Sequence, residues 1–277
     1  MIKVGFIGYG SMGSMLIDTF IKSGKIRPDE IIVSTRTKSK LAEIKALWKS
    51  IHITEDNKEV ARLAKYIFIC VKPLDIKNIL LEINESIGSN SNIISIAGSV
   101  GMKFIEELTR AKVTKLTPSL TSEVFEGISL ICHNSYVTKE EEHFIETLLS
   151  GIGKVKKIDE EDFELAAELT SCMPGFIAAI FEEFVNSGQR HNNNLSKEDI
   201  EDMVIRTLFG TAKLFIEKSL NFDEMVRRVA TKGGITEEGV KVFKARLPQV
   251  FDEMFKVTLN KRKVVKENVK LSFNKEN

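Results

Sequence analysis

Met1-Ile-Lys-Val-Gly-Phe-Ile-Gly-Tyr-Gly-Ser-Met-Gly13 is the stretch on which the fold turns. Ile2, Val4, Phe6 and Ile7 form a short apolar run bounded by glycine, the pattern of a buried parallel strand. Gly8, Gly10 and Gly13 follow in the spacing G-x-G-x-x-G and open the helical pattern from Ser14 to Ile21. Gly8 permits a tight turn, Gly10 lets the backbone approach a pyrophosphate, and Gly13 lets helix and strand pack closely. Tyr9, Ser11 and Met12 fill the loop between them, and the free N–H groups at the helix start attract phosphate oxygens. By itself this spacing is a weak signal. Set between a strand and a helix, it points to a dinucleotide.

Working outward, Ile31-Ile-Val-Ser34 reads as the second strand. A site for NAD usually has an Asp or Glu near the end of that strand, holding the ribose 2′-hydroxyl. Here the chain continues Ser34-Thr35-Arg36-Thr37-Lys38-Ser39-Lys40, with hydroxyls and cations but no carboxylate. Arg36 and Lys38 suit a 2′-phosphate, so NADP(H) is expected ahead of NAD. The competing reading makes them solvated turn charges.

Further strands are expected at 51–54, 66–71, 92–98, 113–119, 128–132 and 154–158, with helices between. The run Tyr66-Ile-Phe-Ile-Cys-Val71 ends in Lys72-Pro73, and proline stops a strand there. That turn belongs at the carboxyl edge of the sheet, where open α/β folds bind ligands. Ala97 and Gly98 end the fifth run with residues small enough to let a nicotinamide ring approach. Cys70 reads as a core residue.

From Glu160 onward only helical patterns remain. The expected architecture is therefore a doubly wound parallel Rossmann domain over 1–158 and an all-helical domain over 159–277. One long apolar helix is expected over 163–186, interrupted at Pro174-Gly175, with a polar loop over 187–194. The nearly all-round apolar helices carry more apolar surface than a monomer of this size can bury, which points to a homodimer or larger homo-oligomer. The Lys-rich end, 256–275, reads as a solvated, frayed helix.

A net charge of +1 over 277 residues argues against a nucleic-acid partner. Cys70, Cys132 and Cys172 are widely spaced, so neither a disulfide framework nor a zinc site is expected, and the cytoplasm suits them. A strand beginning at Met1 predicts no signal peptide, and no apolar run is read as a membrane span.

The last motif is Ala230-Thr-Lys-Gly-Gly-Ile-Thr-Glu-Glu-Gly-Val240, where paired glycines and Thr236 at a helix start suit a small carboxylate. Together with the fingerprint, Val71-Lys72-Pro73 and the helical second half, it resembles the pyrroline-5-carboxylate reductase family over nearly the whole chain. The runs Tyr66 to Ile76 and Thr117-Pro-Ser-Leu-Thr121 look most like its late-competence, ComER-like branch. The resemblance implies reduction of 1-pyrroline-5-carboxylate to L-proline with NAD(P)H, and a helical domain that interlocks into a dimer.

By the same resemblance the phosphate loop falls on 8–13, the ribose-phosphate loop on 34–38, and an asparagine near the adenine ribose on Asn57. The nicotinamide side falls on Cys70, Val71, Lys72 and Pro73 and on residues 96–98. Thr231, Gly233, Gly234, Ile235 and Thr236 match the substrate-carboxylate loop, with Thr236 near the imine nitrogen. Glu160, or Asp159 beside it, matches an acid that opens the helical domain. The departures surround the substrate: Ser171-Cys172-Met173-Pro174-Gly175 stands for Gly-Ser-Gly-Pro-Ala, Lys232 for a proline, and Thr117-Pro118-Ser119 for Met-Pro-Asn. Met173 is expected at the pocket, where it would narrow it.

A cyclic imine is basic enough to be partly protonated, so no strong general acid is required. His52, His133, His143 and His191 are scattered and read as surface or structural. The β-hydroxyacid dehydrogenases share this domain plan but use a lysine on the first helix of their second domain, and 163–186 contains none. Two alternatives stand beside the reductase: a regulatory, non-catalytic NADP-binding dimer, and a reductase for another imino acid.

Overall fold

The computed structural model describes residues 1–191 and 194–274, and divides into two compact units. One comprises Met1–Pro174 together with the chain from Leu259 onward; the other is Gly175–Thr258. The division by packing thus falls beyond the last strand, and the final helix contributes to both.

Eight strands form the sheet: β1 (Val4–Ile7), β2 (Ile31–Ser34), β3 (His52–Thr54), β4 (Tyr66–Ile69), β5 (Asn92–Ser95), β6 (Lys112–Thr117), β7 (Gly127–His133) and β8 (Gly153–Lys157). Six helices accompany them: α1 (Ser11–Lys22), α2 (Lys38–Leu47), α3 (Asn57–Leu63), α4 (Ile76–Ile83), α5 (Met102–Thr109) and α6 (Lys139–Ser150). The strand order is β3-β2-β1-β4-β5-β6-β7-β8. The first six strands are parallel, in the order expected of a Rossmann sheet.

Strand β7 departs from the all-parallel expectation and runs antiparallel to β6. Residues 118–126 join them through a short 3-10 turn (Leu120–Val124), too few for a helical crossover of a dozen or more residues. β1, β2, β4 and β5 are buried at every position, so they read as continuous apolar runs rather than alternating ones. Phe6 on β1 stacks on Phe68 of β4 at 4.8 Å, and Phe20 of α1 meets Phe68 edge-on at 5.7 Å. This aromatic set anchors α1, and hence the glycine loop, to the sheet.

After β8 the described residues are helical: α7 (Phe163–Glu168), α8 (Met173–Arg190), α9 (Lys197–Glu217), α10 (Phe222–Val229) and α11 (Ile235–Asn274). The single helix expected over 163–186 is two, broken at residues 169–172, with Pro174 in the first turn of α8 where its missing N–H costs nothing. The first half of the loop expected over 187–194 is the last turn of α8, while Asn192 and Asn193 lie outside the described residues. Ser196 caps α9 by accepting from Asp199 N at 3.0 Å.

In Gly175–Thr258, burial is sparse. Among the described residues of α8, α9 and α10 only Val185 and Ile200 are buried, while Ile205, Phe209 and Ile216 are 64–76% exposed. A groove of about 600 Å³ between α8 and α9 is lined by Ile177, Phe181, Val185, Val204, Ile205 and Leu208. Apolar surface on this scale marks an interaction face. Contrary to expectation, residues 160–190 contain an 18-residue window with the mean hydropathy (1.3) of a membrane span, by length and composition only.

The end of α11 also differs from the frayed helix expected. Val269 is fully buried, Phe273 packs on Phe104 at 5.1 Å, and Lys266 pairs with Glu164 at 2.9 Å. Its lysines and arginines lie on a helix docked against the sheet unit; Lys275 is outside the described residues.

Candidate active site

At the carboxyl ends of β1, β2 and β4 lies a cleft of about 370 Å³. The glycine loop builds its floor. Gly8 has φ +104°, and a Cβ there would lie 2.5 Å from the carbonyl oxygen of Cys70. A Cβ at Gly13 would lie 2.4 Å from the carbonyl oxygen of Gly8. Both positions therefore require glycine for the loop to close on β4. Gly10 differs: a Cβ there meets nothing within 4 Å and projects into open space. The first turn of α1 (Ser11, Met12, Gly13) has no side-chain cap, so its N–H groups remain available to an anion. Open space at Gly10 beside uncapped N–H groups is the cradle a pyrophosphate fits.

Gly8, Tyr9, Gly10, Thr35, Arg36, Asn57, Cys70, Val71 and Lys72 line this cleft. Ser34 is buried at its edge and orients Asn57, donating its hydroxyl to Oδ1 at 2.6 Å, while Asn57 Nδ2 donates to Glu82 at 3.0 Å. Pro73 opens the 3-10 turn Pro73–Asp75 that leads into α4. Burial pushes the Cys70 thiol up, consistent with a core residue. Lys38 turns to Glu55 at 2.8 Å instead. The cation that reaches the glycine loop is Lys40, whose Nζ donates to the carbonyl of Tyr9 at 3.2 Å. Lys40, Asp75 and Asn78 also line the cleft and were not singled out from sequence.

A second cavity, about 200 Å³, lies at the ends of β5 and β6. Ile96, Gly98, Thr117, Phe163, Ser171 and Arg262 line it, and Ala97 is buried beside it. Arg262 donates to the Glu168 carboxylate and, at 3.2 Å, to Cys172 Sγ. Met173, expected at the pocket, is 38% exposed at the start of α8 and is not among the residues lining this cavity. The carboxylate of Glu160 is already engaged: it pairs with buried Lys115 at 2.9 Å and accepts from Met102 N at 3.0 Å. It thereby ties the start of the helical half to the loop after β5.

In the other unit, Thr231, Gly233, Gly234, Ile235 and Thr236 form one compact turn. Gly234 N donates to the Thr231 carbonyl at 2.9 Å, and Gly233 adopts φ +73°. Thr236 is exposed in the first turn of α11, and Ile235 is 95% exposed. The Gly233 N–H is not free: Glu237 Oε2 accepts from it at 2.7 Å, so the turn already carries a carboxylate of its own.

Of the four histidines, His133 sits in a buried polar chain. Thr114 Oγ1 lies 3.1 Å from Asn92 Oδ1, which can only accept, and 2.8 Å from His133 Nδ1. Nδ1 therefore carries the proton, and Nε2 has no partner. A ring nitrogen of His133 and the carboxylates of Glu142 and Glu146 lie within 4.8 Å of one another, but Lys157 (2.6 Å) and Lys139 (3.1 Å) already balance Glu142. Burial, reinforced by Lys157, pulls the His133 imidazole down to about 4. The unfolded chain then binds this proton below about pH 6.5 and the folded chain does not. The His133 contribution to stability is present above that pH and is lost as pH falls toward 4. In urea unfolding, His133→Asn should flatten the stability loss between about pH 6.5 and 5 relative to the parent; equal slopes would refute the assignment.

Comparison with known proteins agrees with this layout. Residues 3–116 match the family model described as NADP oxidoreductase coenzyme F420-dependent, and residues 160–264 match that for pyrroline-5-carboxylate reductase dimerisation. Pyrroline-5-carboxylate reductase 3 of Bacillus subtilis (strain 168) is 40% identical, over 97% of this chain and 98% of its own. ComE operon protein 4 of the same organism is 29% identical over 93% of this chain and 94% of its own, so the competence-branch likeness is the weaker of these two. The crystal structure of Plasmodium falciparum pyrroline carboxylate reductase with NADP bound superposes with a TM-score of 0.81 at 22% identity, covering 99% of this chain and 98% of that one. With an NADP oxidoreductase model matched over residues 3–116, a reductase dimerisation model matched over 160–264 and a 40% identical relative over nearly its whole length, the chain belongs to the pyrroline-5-carboxylate reductase family.

Proposed function

We propose that this chain reduces 1-pyrroline-5-carboxylate to L-proline, with NADPH preferred over NADH. The observation that carries the reading is the 40% identity to a reductase of that name along nearly the whole of both chains. The bound nicotinamide supplies the hydride, and the protein's part is binding and alignment. The glycine loop and the start of α1 hold the pyrophosphate, Lys40 braces the loop, and Arg36 takes the 2′-phosphate. Residues 96–98 and the cavity beside them seat the nicotinamide side. The 231–236 turn takes the substrate carboxylate at the start of α11 in place of the Glu237 carboxylate that now accepts from Gly233 N, where the helix dipole favours an anion. Thr236 donates its hydroxyl near the imine nitrogen.

The sparse core of Gly175–Thr258 supports a homodimer, in which the α8 and α9 faces gain a partner. Three free thiols suit a reducing compartment such as the cytoplasm.

The test is NADPH oxidation followed by absorbance with 1-pyrroline-5-carboxylate, with NADH in parallel. Thr236→Ala should lower kcat/KM roughly tenfold to a hundredfold, the worth of one hydrogen bond to a charged group. NADPH binding without turnover in the parent chain would overturn the reductase reading in favour of the regulatory one.

A further inference from the structure

The strand end that lacks an acid is supplied with one from elsewhere in the chain. Arg36 Nη2 lies 3.3 Å from Asp75 Oδ2, and both side chains line the dinucleotide cleft. Asp75 comes from the turn after β4, two residues past Pro73, while Arg36 follows β2. The cations in the first turn of α2 are occupied differently: Lys38 on Glu55 and Lys40 on the Tyr9 carbonyl. Arg36 is therefore the cation whose partner is a carboxylate inside the cleft. The pair is exposed, with side chains at 85% and 36%, so solvent screens it and exchange of partners is cheap.

We propose that Asp75 is a specificity-determining residue that limits the preference for a 2′-phosphorylated dinucleotide. The proposal rests on the reading of residues 34–38 as the 2′-phosphate loop. A dinucleotide with a 2′-hydroxyl leaves the Arg36–Asp75 pair intact and offers the carboxylate a donor, as an acid at the end of β2 would accept one. A 2′-phosphate, which is dianionic, draws Arg36 away and leaves Asp75 facing like charge. Asp75 thus opposes the phosphate twice, by competing for Arg36 and by repulsion, and it keeps NADH admissible in a loop otherwise built of cations and hydroxyls.

The experiment is direct titration of NADPH and of NADH by cofactor fluorescence, without substrate, on the parent chain, Asp75→Asn and Arg36→Met. Asp75→Asn should tighten NADPH roughly three- to tenfold while NADH stays within about twofold or weakens. That gain should shrink severalfold in about 0.5 M salt, which a purely structural role would not cause. If Arg36→Met abolishes the NADPH preference and Asp75→Asn leaves the ratio unchanged, the Asp75 proposal is overturned while the loop reading stands. If neither variant moves the ratio, the loop reading fails and the proposal with it. Equal weakening of both dinucleotides in Asp75→Asn, with a lower melting temperature, would mark Asp75 as structural and also overturn it.

Discussion

Gly10→Val is expected to bind NADPH roughly a hundredfold more weakly than the parent chain, and to melt at the same temperature. Gly10 adopts φ −89° and ψ −168°, extended backbone that valine enters readily, and a Cβ there meets no protein atom within 4 Å. The fold therefore tolerates the side chain. The space it fills is the approach to the uncapped start of α1, where a pyrophosphate would draw charge-assisted hydrogen bonds from backbone N–H groups. Losing two such bonds costs about 3 kcal/mol, hence the hundredfold. Gly8→Ala makes the contrast. Its φ of +104° and its contact with the Cys70 carbonyl leave no room, so that variant loses stability together with cofactor. Fluorescence titration beside thermal melts separates the two. Unchanged NADPH affinity in Gly10→Val would mean that the phosphates do not lie over this loop.

Arg262→Met is expected to lower the unfolding free energy by about 3 kcal/mol, a fall in melting temperature of roughly 6–12 °C. Glu168 is only 2% exposed, and one of its oxygens has no partner even with Arg262 in place. Removing the guanidinium strands a buried carboxylate and frees the Cys172 sulfur from its donor. The cost is chiefly that of the orphaned charge, so Glu168→Leu combined with Arg262→Met should recover much of the loss. Melts at one fixed protein concentration are needed, because an oligomer's stability depends on it. A double variant as unstable as Arg262→Met alone would place the effect in packing rather than charge. Because Arg262 borders the cavity beside Gly98, activity of the folded double variant also reports whether the shape of that cavity matters to turnover.

Gly10 belongs to a pattern local to the sequence, whereas Arg262 meets Glu168 only in the folded chain. The glycine spacing, the buried apolar runs of β1, β2, β4 and β5, and the change to helices after β8 all repeat within a few residues. Strand and helix periods and turn chemistry act over that range, so the Rossmann sheet, the glycine turn before α1 and Thr236 at the head of a helix were legible in order along the chain. The reversal of β7 was not, although nine intervening residues (118–126) are too short for a parallel crossover. Tertiary structure alone decided which side chains meet. Asp75 reaches Arg36 across 39 positions, Lys40 reaches Tyr9 across 31, and Arg262 reaches Glu168 across 94. It also committed Glu160 to Lys115 and docked the lysine-rich end of α11 through Val269 and Phe273. A one-dimensional pattern records which residues share a face of one element. Which faces and turns then converge is set by sheet order and helix packing, and that convergence gives Arg36 its carboxylate and Glu168 its arginine.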